Sequence, residues 1–126
     1  MKALKLTLLI AILATAFTAK SQTVTVNIQE SILYTGLYEV SLYVYDNVTN
    51  TTTLVGYLKN QSNPISFDET TIDLSGVNLV NDQVNRYRYV AIVTRQSSPG
   101  GSGSGYTPLI DSGQVKTGDN PITVNM

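Results

Sequence analysis

The chain of 126 residues contains no cysteine, no histidine and no tryptophan. Without cysteine there is no disulfide staple, no lipid-modified N-terminal cysteine, no thiolate metal site and no thiol nucleophile. Without histidine there is no Ser-His-Asp triad and none of the usual zinc sites. The missing tryptophan removes the favoured ring of sugar-binding platforms. Charge is sparse at 13% of residues. The apolar run Leu6–Phe17 is about a dozen residues, short of the roughly 20 that span a bilayer as a helix.

That run instead has the layout of a secretory signal peptide: Lys2 and Lys5 precede it, and small residues follow. Cleavage after Ala16 or after Ser21 satisfies the small-x-small rule. The second leaves Gln22 as the new N-terminus, one residue before β alternation begins. The expected organisation is a signal peptide over 1–21 and one domain over 22–126. Five basic residues (Lys59, Arg86, Arg88, Arg95, Lys116) then face nine acidic ones, a net of about −4, which lacks the clustered positive footprint that nucleic acid requires. A mature chain of roughly 105 residues can be held by one hydrophobic core without disulfides.

What is present is β pattern and turn chemistry. Thr23–Gln29 alternates with Val24, Val26 and Ile28 inward, as an edge strand. Glu30–Leu37 crosses over. Tyr38–Asp46 alternates again, with Tyr38, Val40, Leu42 and Val44 against Glu39, Ser41, Tyr43 and Tyr45. Asp46–Asn50 turns the chain. Thr51–Leu58 returns with Leu54, Gly56 and Leu58 offset from Val55 and Tyr57, Gly56 marking a bulge or a close backbone approach. After a polar turn at Lys59–Pro64, Ile65 and Phe67, then Ile72 and Leu74 after a polar interruption at Glu69–Thr71, read as one kinked strand or two short ones, and in the Ser75–Asn85 connection Val77, Leu79 and Val80 suggest a single helical turn or a loop pinned to the core.

Arg86–Thr94 is apolar on both faces, with Tyr87, Tyr89, Ala91 and Val93 on one and Val90 and Ile92 on the other, which predicts a central strand covered on both sides. Gln96–Gly105, rich in glycine and serine, reads as a mobile hairpin loop. Tyr106–Val115 carries Pro108 and reads as an edge strand, Lys116–Asn120 as a turn, and Ile122 and Val124 as the inward residues of the last strand. About seven short strands without a helix predict an all-β, antiparallel two-layer β-sandwich of immunoglobulin-like or transthyretin-like type, with a small barrel as the competitor.

Several segments recur in a known order: Ile32-Leu33 and Gly36 in the first loop, the Tyr38–Asp46 strand ending in aspartate, Asn63-Pro64-Ile65-Ser66-Phe67, Asn85-Arg86-Tyr87-Arg88-Tyr89-Val90, Ile110-Asp111-Ser112 and Ile122-Thr123-Val124. In this layout Thr23–Met126 resembles the YbaY-like domain family, small β-sandwich domains of bacterial envelope lipoproteins. The resemblance implies a sandwich fold and an envelope compartment, and carries no catalytic activity with it. The chain departs from the family in lacking the lipid-attachment cysteine and the Pro-Pro of the first loop, and in its Gly/Ser insertion.

Eight of the aromatic residues are tyrosine. Tyr43, Tyr45 and Tyr57 point outward and form a candidate platform for a protein partner or a sugar ring, against the simpler reading that tyrosine covers a half-wet sheet face. Arg86 and Arg88, two apart, share a face in the alternation and could grip a carboxylate or phosphate, against ordinary pairing with acids across the sheet. Asp68, Glu69 and Asp73 lack the ligand density of a calcium site and read as solvated turn acids. No catalytic, cofactor or metal residues stand out. The expectation is a non-enzymatic exported module, periplasmic, at the outer cell surface or secreted, structural or interacting with protein partners. Pairing could run along the edges at Thr23–Gln29 or Tyr106–Val115, and self-association is open. The alternative is a carbohydrate or small-ligand binding module using the tyrosine face.

Overall fold

A computed structural model describes residues 23–80, 85–107 and 121–126. Residues 1–21, expected as a signal peptide, the segment 108–115, expected as a strand, and the turn expected at 116–120 lie outside the described residues. Alternation that buries every second side chain produces the first two strands as read: β1 (Val24–Gln29) and β2 (Tyr38–Asp46) each turn their apolar set to the core. The chain continues through β3 (Thr51–Gln61), β4 (Ile65–Phe67), β5 (Tyr87–Arg95), β6 (Ser102–Tyr106) and β7 (Ile122–Asn125). Among the described residues there is no helix, and hence none long and apolar enough to cross a membrane.

The strands form two separate sheets, β4-β1-β7 and β3-β2-β5-β6, so the fold is a two-layer β-sandwich rather than a barrel. All pairings are antiparallel except β1 with β7, which run parallel with Val26 opposite Ile122. β1 and β2 belong to opposite sheets, joined by the 30–37 crossing. The core between the layers is continuous. Val26, Ile65, Phe67, Ile122 and Val124 of one sheet meet Val40, Leu42, Tyr89, Ala91 and Val93 of the other, all fully buried.

Four expectations need correction. β1 is no edge: β4 and β7 flank it, because Val24, Val26 and Ile28 are the middle of a sheet with only three strands. The central strand is covered on one face only, since Tyr87, Tyr89, Ala91 and Val93 are buried whereas Val90 is half-buried and Ile92 is 42% exposed. β3 runs into the expected turn as far as Gln61, and β4 ends at Phe67, so that Ile72 and Leu74 pack against the core without continuing a strand. The β3 register jumps between the Leu42–Gly56 and Tyr43–Leu54 pairs, and this bulge turns Val55 inward and Leu54 outward. Both readings of Gly56 hold together, for a Cβ there would also stand 2.9 Å from the Phe67 ring and 3.0 Å from the Thr71 carbonyl oxygen.

The fourth correction concerns the glycine-rich stretch. Only residues 96–101 connect; Ser102-Gly103-Ser104-Gly105-Tyr106 is β6, paired along β5 from Thr94–Ser102 to Val90–Tyr106. Its pattern has period two, with glycine as the inward residue. A Cβ on Gly103 would lie 2.9 Å from Val124 and 3.0 Å from the Asn125 carbonyl oxygen, and one on Gly105 would overlap the Thr123 carbonyl. The glycines let the edge of one sheet close onto β7 of the other. Gly105→Val is therefore expected to cost about 3 kcal/mol, the upper range for overpacking, because the obstructing atom is backbone. Gly100→Ala, in open space, is expected to be nearly neutral, and denaturant midpoints of the two variants check the contrast.

Candidate functional site

The strongest surface feature is the outer face of β3-β2-β5-β6. Strand register lays its side chains in rows across the sheet. One row runs Leu54, Tyr43, Val90, Tyr106, and the next runs Tyr57, Ser41, Ile92, Ser104. Leu54 (54%), Tyr57 (46%), Ile92 and Tyr106 (56%) are all markedly exposed. A sheet normally turns polar side chains to water on its uncovered side. Here the uncovered side is aromatic and aliphatic, and exposed apolar groups gathered in this way mark an interaction surface.

Of the sequence candidates, Tyr43, Tyr45 and Tyr57 do lie on this face. The Tyr45 hydroxyl donates to Asn50 Oδ1 at 2.6 Å, and the Tyr57 hydroxyl donates to the Glu39 carboxylate. Those bonds fix two of the rings. The Glu39 bond also raises the pKa of the Tyr57 phenol.

The two arginines part company. Arg86 precedes β5, and Asn85 before it has φ of 63°, a left-handed conformation that asparagine tolerates better than most residues. The alternation therefore does not reach Arg86, and it does not share the outer face with Arg88. It is 7% exposed and clamps Asp46 at the end of β2, Nε to Oδ1 and Nη2 to Oδ2, both 2.9 Å. Asp46 Oδ1 also accepts from the backbone N–H of Val48 at 3.0 Å, so one carboxylate holds both the turn after β2 and the entry to β5. The guanidinium, assisted by those N–H groups and against the cost of burial, lowers the Asp46 pKa to about 2.

Arg88 alone of the pair lies on the outer face. Its Cζ is 5.4 Å from the centre of the Tyr45 ring and 5.1 Å from that of Tyr106, and among the described residues no carboxylate pairs with it. Tyr106 belongs to the site although sequence reasoning assigned it only to an edge strand. The serine-glycine alternation leading into it was the available signal. Beside it a depression of about 380 Å³ opens along the β6–β7 margin, lined by Val90, Ser104, Gly105, Tyr106, Pro121 and Thr123.

A second network was not singled out from the sequence. Arg95 at the end of β5 clamps Glu30, which also accepts the Tyr38 hydroxyl at 2.8 Å; Arg95 Nη1 donates to the Gly100 carbonyl at 2.9 Å. The Arg95 guanidinium lies 5.6 Å from the Tyr34 ring centre, and the backbone N–H of Ser97 donates to the Tyr34 hydroxyl. This ties the 30–37 loop to the 96–101 connection. Arg95 holds the Glu30 carboxyl below its ordinary range, while burial and the Glu30 bond push the Tyr38 phenol up to about 12.

The turn acids behave as solvated capping groups. Asp68 accepts from Thr70 and Thr71, and Asp73 from the Ser75 N–H at 3.0 Å, bonds that lower both pKa values. Among the described residues no group of three or more acidic side chains converges on a metal position. Compared with known proteins, the chain matches no family model, no curated protein and no solved structure.

Proposed function

We propose that the chain is a non-enzymatic exported β-sandwich, a structural or interaction module that works through its surface as a subunit or accessory of a larger assembly. The observation that carries this reading is the outward apolar face, where Leu54, Tyr57, Ile92 and Tyr106 stand exposed on a sheet whose other side is already filled by the core. The leader-like residues 1–21 support export, to the periplasm, the outer surface or the medium, and the layout shared with YbaY-like domains supports an envelope role.

The test is the solution mass of the purified protein and what it retains from its native envelope. Ile92→Asp is expected to strip retained partners while the melting midpoint stays close to wild type, because the change adds a solvated charge to the face and leaves the core intact. Retention unaffected by Ile92→Asp would place the interaction elsewhere.

The second reading, a carbohydrate or small-ligand module, is supported by the tyrosines gathered on one face, Tyr43, Tyr45, Tyr57 and Tyr106. Titration against a glycan panel is its test, with saturable binding lost in Tyr43→Ala and Tyr45→Ala as the supporting result.

A further inference from the structure

Two charges of the outer face, one near each end, meet no opposite charge within 4.0 Å among the described residues. Arg88 lies in the row of Tyr45, and Glu39 lies in the row of Thr94. The rows are six residues apart along the strands, about 20 Å at the usual rise. The two exposed apolar rows occupy the middle of that interval. Each charged group is already held in place: Arg88 is stacked between the Tyr45 and Tyr106 rings, and Glu39 accepts the Tyr57 hydroxyl. Stacking leaves the in-plane N–H groups of a guanidinium available to a carboxylate.

A cation and an anion at equal distances from the middle of a patch, as Arg88 and Glu39 are, exchange places under a half-turn. That is the requirement for a closed two-fold dimer, in which the same surface serves both subunits. A two-fold axis running across the strands, midway between the apolar rows, lays β5 on β5 with its direction reversed. The Tyr43–Val90 row of one copy then covers the Ser41–Ile92 row of the other. Arg88 arrives over Thr94 of the second copy, with Glu39 of that copy one strand to the side, about 4.8 Å away. Symmetry makes the pair twice. Lys59 falls beside Glu39 in the register, on β3, and is two strands from β5.

We infer that the outer face of β3-β2-β5-β6 binds a second copy of this chain, sheet on sheet, with Arg88 of each copy paired to Glu39 of the other. The inference rests on the interaction-module reading above and names its partner. Two layers packed in this way bury the exposed isoleucine, leucine and tyrosines at the roughly 10 Å spacing of stacked sheets.

Equilibrium sedimentation of the purified full-length protein tests it. The wild type is expected to show a reversible monomer–dimer equilibrium. Arg88→Glu and Glu39→Arg are each expected to weaken the dimer by at least about tenfold, and the double exchange to recover most of the loss. Thermal melts report whether each variant is folded; should a reversal fail to melt cooperatively, Arg88→Gln and Glu39→Gln replace it with the same expected direction. A wild type that stays monomeric at all concentrations overturns the inference, as does a dimer blind to both single changes or one that the double exchange leaves weak. A monomer that binds a different defined protein on this face, with binding lost in Ile92→Asp, overturns self-pairing and leaves the module reading standing. A monomer whose face binds nothing overturns both.

Discussion

Val93→Asp is expected to leave no cooperative melting transition, whereas Val90→Asp, three residues earlier on the same strand, is expected to melt cooperatively close to wild type. Val93 is fully buried, paired with Val40 of β2 on one side and Gly103 of β6 on the other. A carboxylate there has no partner and no water, and such substitutions cost more than about 4 kcal/mol. Domains of this size have only about 5–15 kcal/mol in total. Val90 lies on the opposite face between Tyr43 and Tyr106, half-buried, where a carboxylate can reach solvent; the expected cost is about 1 kcal/mol. Circular dichroism melts of the two proteins decide the matter, and an unfolded Val90→Asp would mean that the outer face is covered after all.

Arg86→Ala is expected to be the most damaging single change outside the apolar core, at about 3 kcal/mol, because it strands the Asp46 carboxylate in a buried position. Asp46→Leu should also destabilise the protein, because it removes the carboxylate that the guanidinium clamps. The double variant Asp46→Leu/Arg86→Met is expected to be more stable than either single change, since no buried charge is left unpaired. The same pair governs acid behaviour. Asp46 binds its proton near pH 2 in the folded protein and near its ordinary value of 3.8 when unfolded. Its contribution is therefore complete above the ordinary carboxylate range, shrinks as pH falls through that range towards 2, and is absent below 2. Glu30, also lowered, acts in the same direction. Urea midpoints measured from pH 6 to pH 2 should fall for the wild type, and Asp46→Asn should start lower and fall less steeply.

The strands that could be read directly were those whose alternation is their main constraint. β1 and β2 expose one face and bury the other, so Val24, Val26 and Ile28, and Tyr38 through Val44, declared their sides. β5 misled because Val90 and Ile92 look like core residues, although their burial is set by what lies above the sheet, and nothing described there covers them. The glycine-rich stretch misled for the opposite reason. Composition argued for freedom, while the approach of the Thr123 and Asn125 carbonyls makes glycine the residue that fits a tightly packed strand. The position of β1 between β4 and β7 depended on pairing with residues nearly a hundred positions away, which no local pattern records.

At the candidate site the outward set of β2 was legible and the fate of the arginines was not. A two-residue spacing implies a shared face only inside a strand, and the left-handed Asn85 places Arg86 just outside one. Tyr106 joined the face only once β6 was known to be a strand, and the clamp between Arg95 and Glu30 joins residues with no relation in sequence pattern.

The parallel pairing of β1 with β7 also sets the order in which the domain can be completed. A chain emerging N-terminus first presents Val24–Gln29 long before Ile122–Asn125 exists to pair with it, so for most of synthesis β1 has at best one neighbour, β4. Long-range pairing of this kind makes folding slow. The same arrangement makes β7 a cover as well as a strand: loss of its four residues would uncover one side of β1 and lay open a hydrophobic strand edge, a ready template for aggregation.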